Sequence, residues 1–157
     1  VSLLLEFGLD EVLELPNLSK ILETNTTSLI GVWSILDVVD KYPFNKNESS
    51  LIKDISKVIP LNNLDPMALY KNGLYVNSVA SEIKGYDIKN VTESYNNLVI
   101  KCRKDIDVTS DDIIKILHKE PGKFITEIYD DIEREILYRR LKNEKEDICN
   151  YILGNYE

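Results

Sequence analysis

Apolar residues recur every three or four positions along most of this chain, and prolines or glycines interrupt the pattern at short intervals. The clearest stripe begins near Thr27 or Ser28, and its helix must end before Pro43. Its apolar members are Leu29, Val32, Trp33, Leu36 and Val39. This spacing places the side chains on one face of a helix, which must pack against other elements. The pattern therefore predicts an all-α fold, a compact bundle of short helices.

Capping and stop signals divide the rest of the chain into helices of similar length. Asp65 before Pro66 is typical of an N-cap followed by proline at the first helical position, and Gly73 is a stop signal. Asn90 and Asn143 can cap later helices, and Gly154 is expected to end the last one. Thr109 and Asp112 have the spacing of a capping box. A long helix should begin at Phe124.

Residue counts exclude several classes of function. Two cysteines and one histidine cannot build a zinc site of four cysteines or of two cysteines and two histidines, and the chain has no P-loop and no nucleophile-elbow motif. No segment is apolar and long enough to span a membrane, and no signal peptide is recognisable. We expect a reduced, cytoplasmic setting. The first residue is Val rather than Met, which suggests a fragment.

Cationic residues concentrate in the last third of the chain. Residues 99–157 contain 11 of the 19 Lys and Arg residues and 14 of the 27 acidic ones, so this part carries −3 of the total charge of −8. Within it, Pro121-Gly122 precedes a helix, where free backbone N–H groups beside Lys123 can receive a phosphate. The same dipeptide also suits a simple turn between two helices, and spacing alone favours the turn.

A multi-part pattern in this region resembles a known family. It comprises Arg103-Lys104-Asp105-Ile106, then Thr109 to Ile113, Pro121-Gly122, Glu127-Ile128, and finally Leu141-Lys142-Asn143-Glu144-Lys145-Glu146. This arrangement, over about residues 98–153, is similar to the tail of bacterial CCA-adding tRNA nucleotidyltransferases, and residues 1–97 resemble the helical body of that family more loosely. Lys123, Phe124 and Thr126 depart from the residues usual in the family.

The resemblance implies a helical body over residues 1–97 and a smaller helical tail, of the type that binds the tRNA elbow, over residues 98–157. The parent enzyme would add or repair the 3′-terminal CCA of tRNA from CTP and ATP with magnesium. The head motifs for metal binding and the neck motifs for nucleotide selection are not recognisable here, so we expect no catalytic residue, metal ligand or cofactor in this chain. Asp105-Ile106-Asp107 spells a paired-aspartate pattern, but its context indicates a loop leading into a helix.

By the same resemblance, the body and tail hold the acceptor–TψC arm and elbow of tRNA, through phosphates and 2′-hydroxyls rather than base edges. The residues expected to contact RNA are Arg103, Lys104, Lys119, Gly122, Lys123, Arg139, Arg140 and Lys142. For each cation a structural role is the alternative, and Arg134 is expected to pair with Asp130 or Asp131 within its helix.

Two other functions compete with tRNA binding. A helical protein-interaction or dimerisation module, such as one that forms a homodimer, would suit the acidic faces and the nine tyrosines as well. A DNA-binding helix–turn–helix around Pro121-Gly122 is disfavoured, because its second helix would present carboxylates to the phosphates. These are Glu127, Asp130, Asp131 and Glu133.

Overall fold

Helices make up every regular element of the structure, a computed structural model that describes all 157 residues. The all-α prediction is confirmed. The chain divides into two compact units, Val1–Asn96 and Asn97–Glu157. The first unit contains α1 (Ser2–Glu6), α2 (Leu9–Val12), a 3-10 helix (Leu18–Glu23), α3 (Leu29–Leu36), α4 (Lys46–Val58), α5 (Pro66–Ile83) and α6 (Ile88–Asn96). The second contains a 3-10 helix (Arg103–Asp105), α7 (Ser110–Leu117), α8 (Phe124–Leu137) and α9 (Lys145–Tyr156).

Local capping signals explain where the helices of the first unit begin. The Ser28 hydroxyl accepts a hydrogen bond from the Gly31 N–H at the start of α3. At the start of α5, the carboxylate of Asp65, which precedes Pro66, accepts a hydrogen bond from the Ala68 N–H. Such caps satisfy backbone donors that a helix start leaves free. Gly73 interrupts α5 with a left-handed φ of 75°, as the stop signal predicts.

The core of the first unit lies between α4 and α5. Its buried side chains are Ile55, Val58, Val76, Val79, Ala80 and Ile83. A second cluster forms around Leu18 and Leu36, with Trp33 packed against it. The Trp33 ring centroid lies 5.2 Å from that of Tyr42 and 5.1 Å from that of Phe44. Each fully buried Val, Leu or Ile side chain in the two clusters contributes about 1.5–3 kcal/mol to folding.

The second unit buries one apolar stripe from each of its α-helices. α7 contacts both α8 and α9. The most buried side chains of these helices are Ile113, Ile128, Ile132, Ile136, Leu137, Ile148 and Ile152. The capping box of Thr109 and Asp112 is present at the start of α7, as predicted from the spacing.

Several predicted helix ends are wrong. α3 ends at Leu36 because Asp37 adopts a left-handed conformation, so Val39 is outside the helix. α6 begins at Ile88, which places Asn90 inside it. The N-cap of α9 is Glu144 rather than Asn143, and α9 passes through Gly154 to Tyr156. Glycine stops a helix where it takes a positive φ, and Gly154 has none.

Candidate functional site

The paired aspartates of the second unit hold its loops together. The Asp105 carboxylate accepts hydrogen bonds from the Lys101 and Cys102 N–H groups at 2.7 and 3.0 Å, and these bonds lower the pKa of Asp105, the Lys101 bond most. The Asp107 carboxylate accepts from the Lys145 N–H at 3.1 Å. Asp105 is the last residue of the short 3-10 helix, and the expected loop leading into α7 is confirmed from Ile106 onward. No group of three or more His, Cys, Asp or Glu side chains is arranged to hold a metal ion.

Asn143 joins two segments that are distant in sequence. Its side-chain amide donates to the Asp105 carbonyl at 2.7 Å, and its amide oxygen accepts from the Asp107 N–H at 3.0 Å. Lys104 precedes Asp105 and Lys142 precedes Asn143, so this clamp brings the two lysines to the same corner of the second unit. The sequence suggested a helix cap for Asn143, because a local role is all that spacing reveals.

Arg103 is bound by carboxylates of α8. Its guanidinium Nε lies 2.6 Å from a Glu133 oxygen and its Nη2 lies 2.7 Å from an Asp130 oxygen. The hydrogen bond to Glu133 is the main cause of a raised pKa for Arg103. The same guanidinium lies 5.0 Å from the Tyr129 ring centroid. Since Glu133 is only 5% exposed, the guanidinium of Arg103 compensates a buried negative charge. The two carboxylates in turn largely neutralise the positive charge that Arg103 could offer to a ligand.

The two arginines after α8 differ in their partners. Arg140 makes a bidentate ion pair with Glu135, at 2.6 and 2.7 Å, which raises the pKa of Arg140. Arg139 takes a left-handed φ of 57° and donates a long hydrogen bond of 3.4 Å to the Asn97 carbonyl. Arg140 therefore offers less positive charge to a ligand than Arg139 does.

The Pro121-Gly122 turn is packed against the start of α8. A Cβ atom on Gly122 would lie 3.3 Å from a Phe124 ring carbon, so the turn has little spare room on that side. Lys119 donates to the Tyr156 carbonyl at 3.0 Å, and its ammonium lies 5.9 Å from the Phe124 ring centroid. Lys123 is exposed at the N-cap of α8, and its side chain makes no hydrogen bond or ion pair.

Asp131 connects α8 to the end of α9. Its carboxylate accepts hydrogen bonds from the Tyr151 and Tyr156 hydroxyls at 2.7 and 2.8 Å, and the Tyr151 bond contributes most to lowering the pKa of Asp131. Burial, reinforced by Asp131, raises the pKa of Tyr156 to about 12. Arg134 pairs with Asp131 as the helical spacing predicts. This arrangement holds the C-terminal residues in place, including the carbonyl that receives Lys119.

The cations predicted as a single set thus differ in availability. Arg103 and Arg140 are neutralised by carboxylates, and Lys119 and Arg139 are tied to backbone carbonyls. Lys104, Lys123 and Lys142 are exposed and without a protein partner. The sequence offers no signal for this division, because the partners of Arg103 lie 27 and 30 residues away.

The sequence pattern of the tRNA nucleotidyltransferase domain 2 family matches residues 32–152, which is more than half of the chain. The chain belongs to this family. This match and the similar proteins with that name confirm the resemblance to the C-terminal region of CCA-adding enzymes.

Similar proteins carry the name CCA-adding enzyme. The one from Ligilactobacillus salivarius is 27% identical over 138 residues, covering 84% of this chain and 32% of the relative. The one from Bacillus cytotoxicus is 32% identical over 96 residues, covering 56% of this chain and 24% of the relative. This member of the tRNA nucleotidyltransferase domain 2 family therefore spans about a third or less of the length of these curated relatives.

A solved structure shares the fold. The crystal structure of the Bacillus stearothermophilus CCA-adding enzyme in complex with CTP superposes with a TM-score of 0.73 at 17% sequence identity, over 82% of this chain and 38% of the other. None of the helices of the present chain has the length and apolar character needed to cross a bilayer.

Proposed function

We propose that this chain is the tRNA-binding part of an enzyme that adds or repairs the 3′-terminal CCA of tRNA from CTP and ATP with magnesium. The catalytic residues and the sites for magnesium and nucleotide lie outside residues 1–157. Family membership and the names of the relatives support the activity of the parent protein. The observation that carries the binding role is that three of the residues expected to contact RNA, Lys104, Lys123 and Lys142, are exposed lysines without a side-chain partner.

Unpaired surface lysines are suited to duplex RNA. An A-form helix presents phosphates and 2′-hydroxyls across a shallow minor groove, and proteins recognise it by shape and charge rather than by base edges. A lysine with a carboxylate partner must give up that partner before it meets a phosphate, whereas Lys104 and Lys142 have none to give up. Asn143 fixes the segments that carry both lysines, so less conformational entropy is lost when RNA binds.

The overall charge determines how strong this binding should be. The second unit carries 11 basic and 14 acidic residues, a charge of −3. Affinity therefore depends on a local cationic patch, and each phosphate contact should add to the salt dependence. We expect moderate affinity that decreases steeply as salt increases.

A salt titration of tRNA binding tests the proposal. The chain should bind tRNA more tightly than an unstructured oligonucleotide of equal length, with a linear fall of log affinity against log salt. Replacing Lys104, Lys123 or Lys142 by Ala should each reduce the slope by about 1. Lys46→Ala removes the same charge from the first unit, at an exposed lysine without a partner, and should leave the slope unchanged.

Three outcomes would contradict the proposal. The first is equal affinity for tRNA and the unstructured oligonucleotide, and the second is binding that does not respond to salt. The third is a tight dimer in sedimentation whose formation blocks RNA binding, which would favour a dimerisation module instead.

A further inference from the structure

The first two helices of the chain expose large apolar side chains. Leu3 and Phe7 are four positions apart, on one side of α1, and are 66% and 70% exposed. On α2, Val12 is 75% exposed, and Leu9 and Leu13 on the same side are 38% and 43% exposed. We call these five residues the N-terminal apolar face. Apolar surface of this kind marks an interaction site when it is contiguous, and α1 and α2 contact each other.

The other side of α1 is already packed. Leu4 and Leu5 lie against the cluster around Leu18 and Leu36 in the first unit. The helix is therefore anchored to the core by one side and exposes apolar side chains on the other. Because a helix that is apolar on more than one side is typically buried between neighbouring elements, α1 lacks a neighbour on its exposed side.

The charges around this face are all negative. Residues 1–19 contain no Lys or Arg, and their acidic residues are Glu6, Asp10, Glu11 and Glu14. Lys41 pairs with Glu14 at 2.7 Å, and the other three carboxylates have no ion-pair partner. Since interfaces place positive groups opposite negative ones, an occupant of this face should carry Lys or Arg at the border of its own apolar surface.

This charge pattern disfavours two other occupants. In a symmetric dimer the carboxylates of two copies would face each other, and like charges oppose such a contact. A helix that lies on a membrane surface carries Lys or Arg on its polar side, and α1 and α2 contain neither. The remaining occupant is a protein segment that is apolar and basic.

The lengths of the relatives indicate where such a segment could come from. The chain covers 32% and 24% of the CCA-adding enzymes of Ligilactobacillus salivarius and Bacillus cytotoxicus, and it resembles their C-terminal region. The remaining length in these relatives would therefore precede this region. The family match begins at residue 32, so α1 and α2 also lie outside the matched domain.

We infer that the N-terminal apolar face is an internal interface of the parent protein, covered by an apolar segment with basic residues at its border that lies upstream of residue 1. The existence of this longer parent rests on the proposed function. Because the segment and the face belong to one polypeptide, their effective concentration is on the order of millimolar for a short connection. A contact of modest intrinsic affinity is then sufficient to keep the face covered.

Thiol labelling tests whether the face is covered. Phe7→Cys is introduced, with Cys102 and Cys149 replaced by Ser, both into residues 1–157 and into the complete parent protein. Iodoacetamide should modify the new thiol readily in the short chain. In the parent it should react at least about tenfold more slowly, because the interface must open first. Equal rates in the two proteins would overturn the inference.

Tyr86→Cys is the matched control in the same cysteine-free background. Tyr86 is 64% exposed, close to the value for Phe7, and lies between α5 and α6. Its replacement thiol should react at the same rate in the short chain and in the parent. Equal slowing at both positions would indicate general shielding of the first unit and would contradict an interface at the N-terminal apolar face.

Protein concentration distinguishes the parent's own segment from a second copy. In the short chain, the labelling rate of Phe7→Cys should be independent of protein concentration. A rate that falls as the concentration rises would mean that a second copy covers the face, and would overturn the inference.

A charge substitution tests the basic border of the occupant. In the parent with Phe7→Cys, adding Glu11→Gln should raise the labelling rate about 1.5- to fivefold relative to its effect in the short chain, the range expected for loss of one surface ion pair. Glu93→Gln removes the same charge from the exposed surface of α6 and should not change the rate. No rise with Glu11→Gln would contradict a basic occupant.

The labelling result does not depend on tRNA. Slow labelling of Phe7→Cys in the parent, together with no binding of tRNA by residues 1–157, would support the interface and contradict the proposed tRNA-binding function. Binding of tRNA together with equal labelling rates would do the reverse. Failure of one proposal is therefore distinguishable from failure of the other.

Discussion

The guanidinium of Arg103 lies 2.6 Å from the carboxylate of Glu133, a residue that is only 5% exposed. The two residues are 30 positions apart, and their contact fixes the short 3-10 helix of the second unit onto α8. A buried carboxylate without a cation is strongly unfavourable, so this pair sets a structural requirement on Arg103. This structural requirement distinguishes Arg103 from Lys104, its neighbour in sequence.

Replacing Arg103 by Gln should destabilise the protein. Glu133 would keep its buried position without a compensating charge, and we expect a loss of about 1–3 kcal/mol in the free energy of unfolding, measured by urea denaturation. Lys104→Gln is the matched control, and its effect should stay within about 0.5 kcal/mol because Lys104 is exposed and unpaired. Adding Glu133→Gln to Arg103→Gln should recover part of the loss. No recovery in the double variant would rule out the buried charge as the cause.

Removing the side chain of Asn143 should loosen the corner that carries Lys104 and Lys142. Asn143→Ala deletes two hydrogen bonds to the backbone of Asp105 and Asp107, and should cost about 1–3 kcal/mol of unfolding free energy. It should also weaken tRNA binding, although no charge is removed.

An asparagine elsewhere in the second unit serves as the control for that experiment. Asn155 is exposed and bonds only to the Tyr151 carbonyl one turn earlier in α9, so Asn155→Ala should change stability by less than about 0.5 kcal/mol. Similar losses in the two variants would argue against a clamp at Asn143.

The carboxylate of Asp112 should make stability depend on pH in the acid range. Hydrogen bonds from the Lys145 ammonium, which contributes most, and from Thr109 hold the pKa of Asp112 far below its ordinary value. The unfolded chain therefore binds this proton more readily than the folded one. The stabilisation is complete above the unfolded pKa of about 3.9 and is lost as pH falls toward the folded pKa.

A comparison with Asp112→Asn isolates this contribution. The wild type should be more stable than the variant by a constant amount from pH 7 to about pH 5, and the difference should shrink below about pH 4. Denaturation curves at several pH values measure it. Asp111→Asn, at the neighbouring exposed residue without a hydrogen-bond partner, should show a smaller difference. A gap between wild type and Asp112→Asn that widens in acid would contradict the assignment.

Local signals in the sequence predicted where α3, α5 and α7 begin. Ser28, Asp65 and the pair Thr109–Asp112 act within three residues along the chain, a range over which sequence spacing fixes geometry. Asn143 was misassigned because its partners lie 36 and 38 residues upstream, and capping residues also serve as long-range clamps.

In the candidate site, too, contacts between residues close in sequence could be predicted and contacts between distant residues could not. Helical spacing predicted that Arg134 pairs with Asp130 or Asp131, and in the structure it pairs with Asp131, three positions away. Arg140 reaches Glu135, five positions away, only because the chain leaves its helix after Leu137. The family resemblance placed Arg103 and Lys104 together among the expected RNA contacts, and only the contacts of Arg103 with α8 distinguish the two residues.

Two glycines inside helices should respond to alanine substitution in opposite directions. Gly154 is helical, and a Cβ atom there would meet nothing within 4 Å, so Gly154→Ala should stabilise the protein by up to about 1 kcal/mol through its higher helix propensity. At Gly31 in α3 the Cβ atom would lie 2.9 Å from a Val79 methyl carbon. Overpacking of this kind costs about 1–3 kcal/mol, so Gly31→Ala should be destabilising overall. Thermal melts of both variants measure the two shifts, which should have opposite signs. Destabilisation by Gly154→Ala would mean that this glycine ends α9 after all.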